Sequence, residues 1–353
     1  YMAQFTQLAQ WLTYLETIHK SEIDLGLQRV AQMKERLQDA GLLKLNYPII
    51  TVGGTNGKGS TCAYLEQILI AAGYRVGCHT SPHILDFTER GRFNGVDATE
   101  AQLLPFFQEV ERIRLQAPEI SLTYFEFTLM VLMCWFDAQK PDAVVLEVGL
   151  GGRLDASNVF DSAVSIVTMV DLDHQGFLGD TREVIGFEKA GIFRAGCVAI
   201  CADPNPPQSL LDYAQFIGAD LKLINRDFRY QVVQDDQRKQ WRFVGVRGAR
   251  NSLAMPAMRG DYQLANASAA LTALEALAEI LSVTQQAVRL GISNAVMRGR
   301  FQVLPGQPTT VLDVAHNPHA ARALAKNIQQ MGYAPYTHAV FGAMADKDIA
   351  QVM

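Results

Sequence analysis

The chain has 353 residues, which at roughly 150 residues per domain suggests two domains and room for a sizeable core. Lys and Arg number 31 against 36 Asp and Glu, a formal charge of -5, so there is no basic footprint for a nucleic-acid groove or an anionic membrane. Apolar residues at 49% and charged residues at 19% exclude extensive disorder and leave small-molecule chemistry as the better starting class.

In chain order, Ile23, Leu27, Val30, Met33 and Leu37 recur at helical spacing behind Ser21, and this predicts a helix capped by Ser21 and stopped at Gly41. Residues 48–52 (PIITV) read as a strand. A glycine-rich turn follows, and the stripe Leu65, Ile68, Leu69 and Ala72 predicts a helix over 61–72 that ends at Gly73. Further strands are expected at 74–79, 143–148, 163–170 and 197–202, with helical patterns between several of them. This alternation predicts an α/β fold with a mostly parallel central sheet flanked by helices. The longest apolar run, 127–136, falls short of the roughly 20 residues of a spanning helix. No signal-peptide pattern is read, and the five cysteines contain no C-x-x-C pair and sit mostly in apolar runs. The expectation is a cytoplasmic enzyme with reduced thiols.

An alanine-rich helix is expected over 266–281, and a second over 283–295 before the turn-forming RGRF at 298–301. A domain boundary is placed there, giving units 1–297 and 298–353. In the second unit, strands at 310–314 and 338–342 would flank a helix over 318–331. It reads as the beginning of a smaller, Rossmann-like α/β domain that is incomplete over the 353 residues.

Gly53, Gly54, Thr55, Asn56, Gly57, Lys58, Gly59 and Ser60 lie between a predicted strand and helix, where backbone N–H groups and a helix N-terminus cradle phosphate oxygens. Lys58 would reach the terminal phosphates. The standard P-loop would need Gly at 52 and Ser or Thr at 59, where this chain has Val52 and Gly59, so Ser60 or a hydroxyl from another loop must meet the magnesium. A plain strand-to-helix turn is the alternative reading.

The shortened loop G-T-N-G-K-G-S resembles the ATP-binding loop of the Mur-ligase superfamily, in particular its folate branch. Similar segments follow in the family's order: IDLGL at 23–27, TSPH at 80–83, SLTYFE at 121–126, LEVGLGGRLDASN at 146–158, LDH at 172–174, EKAGIF at 188–193, GRF at 299–301, LDVAHNPHA at 312–320 and a DKDI segment at 346–349. One departure is Gly91, where the family has an apolar residue between the positions of Arg90 and Arg92. It leaves the local strand geometry open.

The resemblance implies ATP and two magnesium ions as cofactors. Gly54, Thr55, Asn56, Gly57, Lys58, Gly59, Ser60, Asn266, Arg300 and Asp313 would contact ATP, and Ser81, Glu147, His174 and a carbamylated Lys189 would hold metal. Lys58, Glu147, His174 and Lys189 would form the catalytic set. The acceptor dihydropteroate would meet Ile23, Asp24 and Leu25; Thr123, Tyr124, Phe125 and Glu126; and Leu154, Asp155 and Ala156. His316 would touch glutamate or ATP. The residues alone support part of this: a bare carboxylate ending the apolar strand AVVLEV is costly unless a cation neutralises it. Bland alternatives stand beside each reading: a Glu147–Arg153 ion pair, a solvated Lys189–Glu188 bridge, Phe125 as core, Asp155 as a turn cap and Ser81 as a turn former.

The implied activity is ligation of L-glutamate to dihydropteroate and to reduced folates through an acyl phosphate, on a monomer with small-molecule substrates and no nucleic-acid or membrane partner. Alternatives are a monofunctional folylpolyglutamate synthase, another Mur-type ligase, a P-loop kinase or GTPase, and a non-catalytic nucleotide-binding remnant.

Overall fold

The computed structural model describes residues 5–234, 238–344 and 349–352. Its centre is an eight-stranded sheet in the order β4-β3-β2-β5-β1-β6-β7-β8. The strands are β1 (Ile49–Gly53), β2 (Val76–His79), β3 (Gly91–Phe93), β4 (Val96–Asp97), β5 (Ala143–Glu147), β6 (Val164–Val167), β7 (Val198–Cys201) and β8 (Asp220–Leu223). β2, β5, β1, β6, β7 and β8 run parallel, while β3 and β4 add an antiparallel edge. Every residue of β1, β2, β5 and β6 is buried, because helices cover both faces of a parallel sheet.

On one face lie α1 (Leu8–Leu15), α2 (Gln28–Asp39), α4 (Glu100–Arg114) and α5 (Tyr124–Ala138); on the other, α3 (Lys58–Ala71), α9 (Gln263–Ala276) and α10 (Gln285–Asn294). A short α6 (Gln175–Leu178) leads into α7 (Arg182–Ala190), which packs with α8 (Gln208–Ile217) beside β6 and β7. A three-stranded antiparallel sheet of β9 (Arg229–Gln234), β10 (Lys239–Gly245) and β11 (Gly248–Ala254) adds Trp241 and Phe243 to the α3/α9 core. The alanines of α9 and Gly291 of α10 permit close backbone approach. A Cβ at Gly291 would stand 2.5 Å from the Ile68 backbone.

Beyond α10, β12 (Gln302–Leu304) pairs antiparallel with β13 (Thr310–Leu312), and α11 (Pro318–Gln329) follows, capped by the Asn317 side chain. The strand expected at 338–342 does not form. It has no ladder partner among the described residues and leaves Val340 and Phe341 exposed. Of the DKDI segment, 346–348 lie outside the described residues.

A second correction concerns Ser21. Helix α2 begins only at Gln28, behind Leu27, because the backbone of the preceding segment bonds elsewhere: Gly26 N donates to Leu154 O (3.2 Å), and Asp24 O accepts from Arg29 (2.6 Å). Gly91 is resolved in the other direction. β3 forms normally against β2, and a Cβ at Gly91 would meet Leu132 at 2.5 Å, so packing favours glycine there. The five cysteines are free thiols, four of them buried.

Candidate active site

The phosphate loop leaves the C-terminal end of β1 and enters α3 at Lys58, so Lys58, Gly59 and Ser60 form the first turn of a buried helix. Two glycines are required by close approach. A Cβ at Gly54 would overlap Thr168 Oγ1 at 1.9 Å, and one at Gly57, whose φ is +90°, would meet Asn266 Oδ1 at 2.5 Å. The second clash shows how α9 brings Asn266 against the loop. Gly59 faces the end of the Met297 side chain, which would have to shift to admit a side chain at that position. Ser60 Oγ accepts from Gln263 Nε2 (3.3 Å) and lines the cleft. Lys58 Nζ donates to Gly54 O (3.0 Å).

The loop is also strapped to the 168–174 segment. Thr168 Oγ1 donates to Asn56 O (2.6 Å), and Thr55 Oγ1 both donates to Asp171 O and accepts from Asp171 N, at 3.0 Å each. That segment presents Asp173 and His174. Asp173 Oδ2 lies 3.8 Å from His174 Nε2 and 3.6 Å from His316 Nε2, bringing the two histidines to one carboxylate.

Glu147 ends β5 and is 4% exposed. Burial pushes its carboxyl above the usual range, against the pull of Lys58, the Ser81 N–H (2.8 Å), Arg300 and Arg92. The Glu147–Arg153 pair is not formed, since Arg153 bonds Glu188 at 2.8 Å. Lys189, on α7, is 4% exposed and makes no solvated bridge to Glu188. Burial, with the Lys58 charge, lowers its ammonium pKa to about 7, opposed by Asp173 and Asp155. Among the described residues no group of three or more His, Cys, Asp or Glu side chains is placed so as to hold a metal ion by itself. A magnesium ion does not need such a cage, because it keeps waters and phosphate oxygens beside one or two protein ligands, and Ser81 with Glu147 fits that pattern.

A cavity of about 290 Å3 opens from the loop between the two units, walled by Asn56, Gly57, Ser60, Asn266, Arg300, Asp313 and His319. Asp313 accepts the N–H groups of Phe301 and Ala315 at 2.7 Å each, which fixes the RGRF turn beside it. Asn56 bridges the units: its Oδ1 accepts from Asn317 Nδ2 (3.1 Å) and its Nδ2 lies 3.1 Å from His319 Nδ1. His319 also packs on Tyr262, with ring centroids 4.7 Å apart.

The expected acceptor residues come together on the opposite side of the sheet. Arg29 pairs with Asp24 (2.9 Å) and Glu126 (2.8 Å), while Glu126 and Thr123 cap α5 reciprocally. Ile23 is exposed, and the 23–26 segment is held to Leu154 by Gly26. Asp155 caps the turn of Ala156, accepting from Ser157 N (2.9 Å) and Leu150 N (2.8 Å), as in its bland alternative; burial raises its carboxyl pKa. Phe125 is half-buried rather than core, with its ring edge over Gly149 next to Asp155. His79 lies beneath, 6.0 Å from Phe125 between ring centroids, and burial drops its pKa to about 4.

Sequence reading missed Arg29, His79, Tyr262, Gln263 and His319. Only His319 carried a signal, as the second histidine of LDVAHNPHA.

Residues 52–274 match the Mur ligase middle domain and residues 299–353 the Mur ligase glutamate ligase domain. The dihydrofolate synthase/folylpolyglutamate synthase of Escherichia coli (strain K12) is 44% identical over 97% of this chain and 78% of its own length. A probable dihydrofolate synthetase of Schizosaccharomyces pombe is 32% identical over 94% of this chain and 79% of its own length. Among solved structures, Escherichia coli FolC in complex with DHPP and ADP superposes with a TM-score of 0.90 at 43% identity, covering 98% of this chain and 80% of that one. A bifunctional folylpolyglutamate synthase/dihydrofolate synthase with Mn, AMPPNP and L-glutamate bound gives a TM-score of 0.88 at 44% identity, covering 100% of this chain and 82% of that one.

Proposed function

Because this chain belongs to the Mur ligase family, with the dihydrofolate synthase/folylpolyglutamate synthases as its relatives, we propose that it is an ATP-dependent amide-forming ligase that joins L-glutamate to dihydropteroate and to reduced folates. The observation that carries the reading is the buried Glu147 within the field of Lys58 and Arg300, with Arg300 also walling the cleft that opens from the phosphate loop.

A carboxylate is a poor acyl donor. Its oxygen attacks the γ-phosphorus of ATP, the bond to ADP breaks, and an acyl phosphate forms. The glutamate amine then attacks the acyl carbon, phosphate leaves with the C–O electron pair, and the amine gives up its proton. Lys58 and Arg300 neutralise charge on the transferred phosphoryl group. Asn56, Gly57, Ser60 and Asn266 hold the nucleotide, with Asp313 fixing the turn that carries Arg300. Asp24, Phe125, Glu126 and Asp155 line the acceptor pocket, where a flat heterocycle stacks on Phe125.

Ser81 and Glu147 would hold one magnesium ion, and His174 with Lys189 a second; when bound, the ions supply neutralising charge. Lys189 fits carbamylation, since a buried amine with little proton affinity attacks CO2, releases a proton and becomes an anionic oxygen donor. Peptide mass analysis is expected to show one added CO2 at Lys189. Solution sizing is expected to give a monomer.

The test is product mass after incubation with ATP, magnesium and L-glutamate, with dihydropteroate and tetrahydrofolate offered separately. One added glutamyl unit on each acceptor supports the reading. Addition to tetrahydrofolate alone supports the monofunctional alternative, and ATP hydrolysis with no new amide on either contradicts both.

A further inference from the structure

His79 is a buried imidazole that the ligation chemistry does not use. It is 1% exposed and ends β2, paired in register with Leu146 of β5 at the C-terminal edge of the parallel sheet, where α/β folds bind their ligands. Alternation along the strands puts its side chain on the face of α5, opposite Cys78. There it meets the first turn of α5 through Phe125.

Its two nitrogens differ sharply. Nδ1 lies 2.8 Å from Arg90 O, and because a carbonyl only accepts, Nδ1 carries the proton. Nε2 of the neutral ring is then an acceptor, and it has no partner. A buried polar atom left unsatisfied is costly. Of the four other buried unpartnered side-chain atoms among the described residues, Trp135 Nε1 and Ser268 Oγ lie inside α5 and α9, Thr51 Oγ1 lies inside β1, and Tyr47 Oη lies just before β1. His79 instead adjoins the ring that roofs the acceptor pocket, near Gly149 and Asp155.

We propose that His79 is a substrate-binding residue whose Nε2 accepts a hydrogen bond from a ring N–H of the heterocyclic acceptor, made when Phe125 turns to stack on that heterocycle. The proposal rests on the acceptor reading above and deepens it. Phe125 would supply the apolar face, Asp155 a carboxylate acceptor and His79 a second, neutral acceptor. A heterocycle rich in N–H donors, as dihydropteroate is, satisfies both acceptors. A ring lacking those donors leaves His79 unpaired and is rejected.

The test uses the whole chain with histidine labelled at nitrogen-15, titrated with dihydropteroate in the presence of ADP. The expected result is an upfield move of the His79 Nε2 resonance on saturation. His79→Phe, which keeps a flat ring, is expected to weaken dihydropteroate binding about tenfold while leaving ADP affinity unchanged, and His79→Gln, which keeps an acceptor near the Nε2 position, to recover most of the loss. An Nε2 resonance that stays put while calorimetry records dihydropteroate binding overturns this proposal alone. Absence of dihydropteroate binding by the unsubstituted protein overturns the acceptor reading and this proposal together. The resonance decides the matter even if His79→Phe fails to fold.

Discussion

The two units use similar apolar letters to different effect. In the first, strands such as β1 and β5 are buried at every position between helical layers. In the second, β13 and α11 bury no residue, and Tyr333, Tyr336 and Val340 stand in solvent. The polar ties between the second unit and the first are Asn317 to Asn56 at the phosphate loop, Lys326 to Asp261, and Arg298 to Asp97 (2.8 Å), beside the ring contact of His319 with Tyr262. Over the described residues the first unit is held by its core, and the segment after α10 meets it through these bonds and the packing of His319 on Tyr262, several of them at the nucleotide cleft.

The sharpest way to break this contrast is a matched pair of truncations. Phe136→Ala, in the fully buried α5, is expected to cost about 3–5 kcal/mol, and Tyr333→Ala to stay within about 0.5 kcal/mol, both read by urea unfolding. Similar losses for both would contradict it. Next in size is Asn317→Ala, which removes the α11 cap and the tie to Asn56 together. A loss of about 0.5–2 kcal/mol is expected, confined to amide exchange in α11, with a raised KM for ATP and little change in the KM for the acceptor.

A third effect is a titration inside the first unit. Tyr14 donates to Glu111 (2.6 Å), and burial with this bond raises its pKa to about 12 from an ordinary 10. The folded state thus favours the neutral phenol. That contribution is complete below pH 10 and disappears as pH rises through 12, so unfolding midpoints should fall over this window in the unsubstituted chain and fall less in Tyr14→Phe.

Much of the fold was legible because its signals are local. The strand, glycine loop and helix around Gly53 to Ser60 follow from periodicity and turn chemistry, and the carboxylate of Glu147 stands out at the end of an apolar run. What stayed hidden depends on distant partners. The Ser21 cap fails because Gly26 bonds Leu154, far along the chain. The run at 338–342 has strand-forming letters, but a strand exists only against a neighbour. Within the site, Gly59 could be seen to lack a hydroxyl, but its neighbour Met297 lies in another segment. Arg29 and His79 gave no motif, since their roles come from the carboxylates and ring that folding brings to them.

The central claim is that the acceptor carboxylate is activated by phosphoryl transfer in the cleft beside Lys58 and Glu147. Its most direct test is to give the protein dihydropteroate labelled with heavy oxygen in its carboxylate, with ATP, magnesium and L-glutamate, and to weigh the released phosphate. The account predicts one heavy oxygen transferred to phosphate for each amide formed. Amide formation with unlabelled phosphate would contradict it.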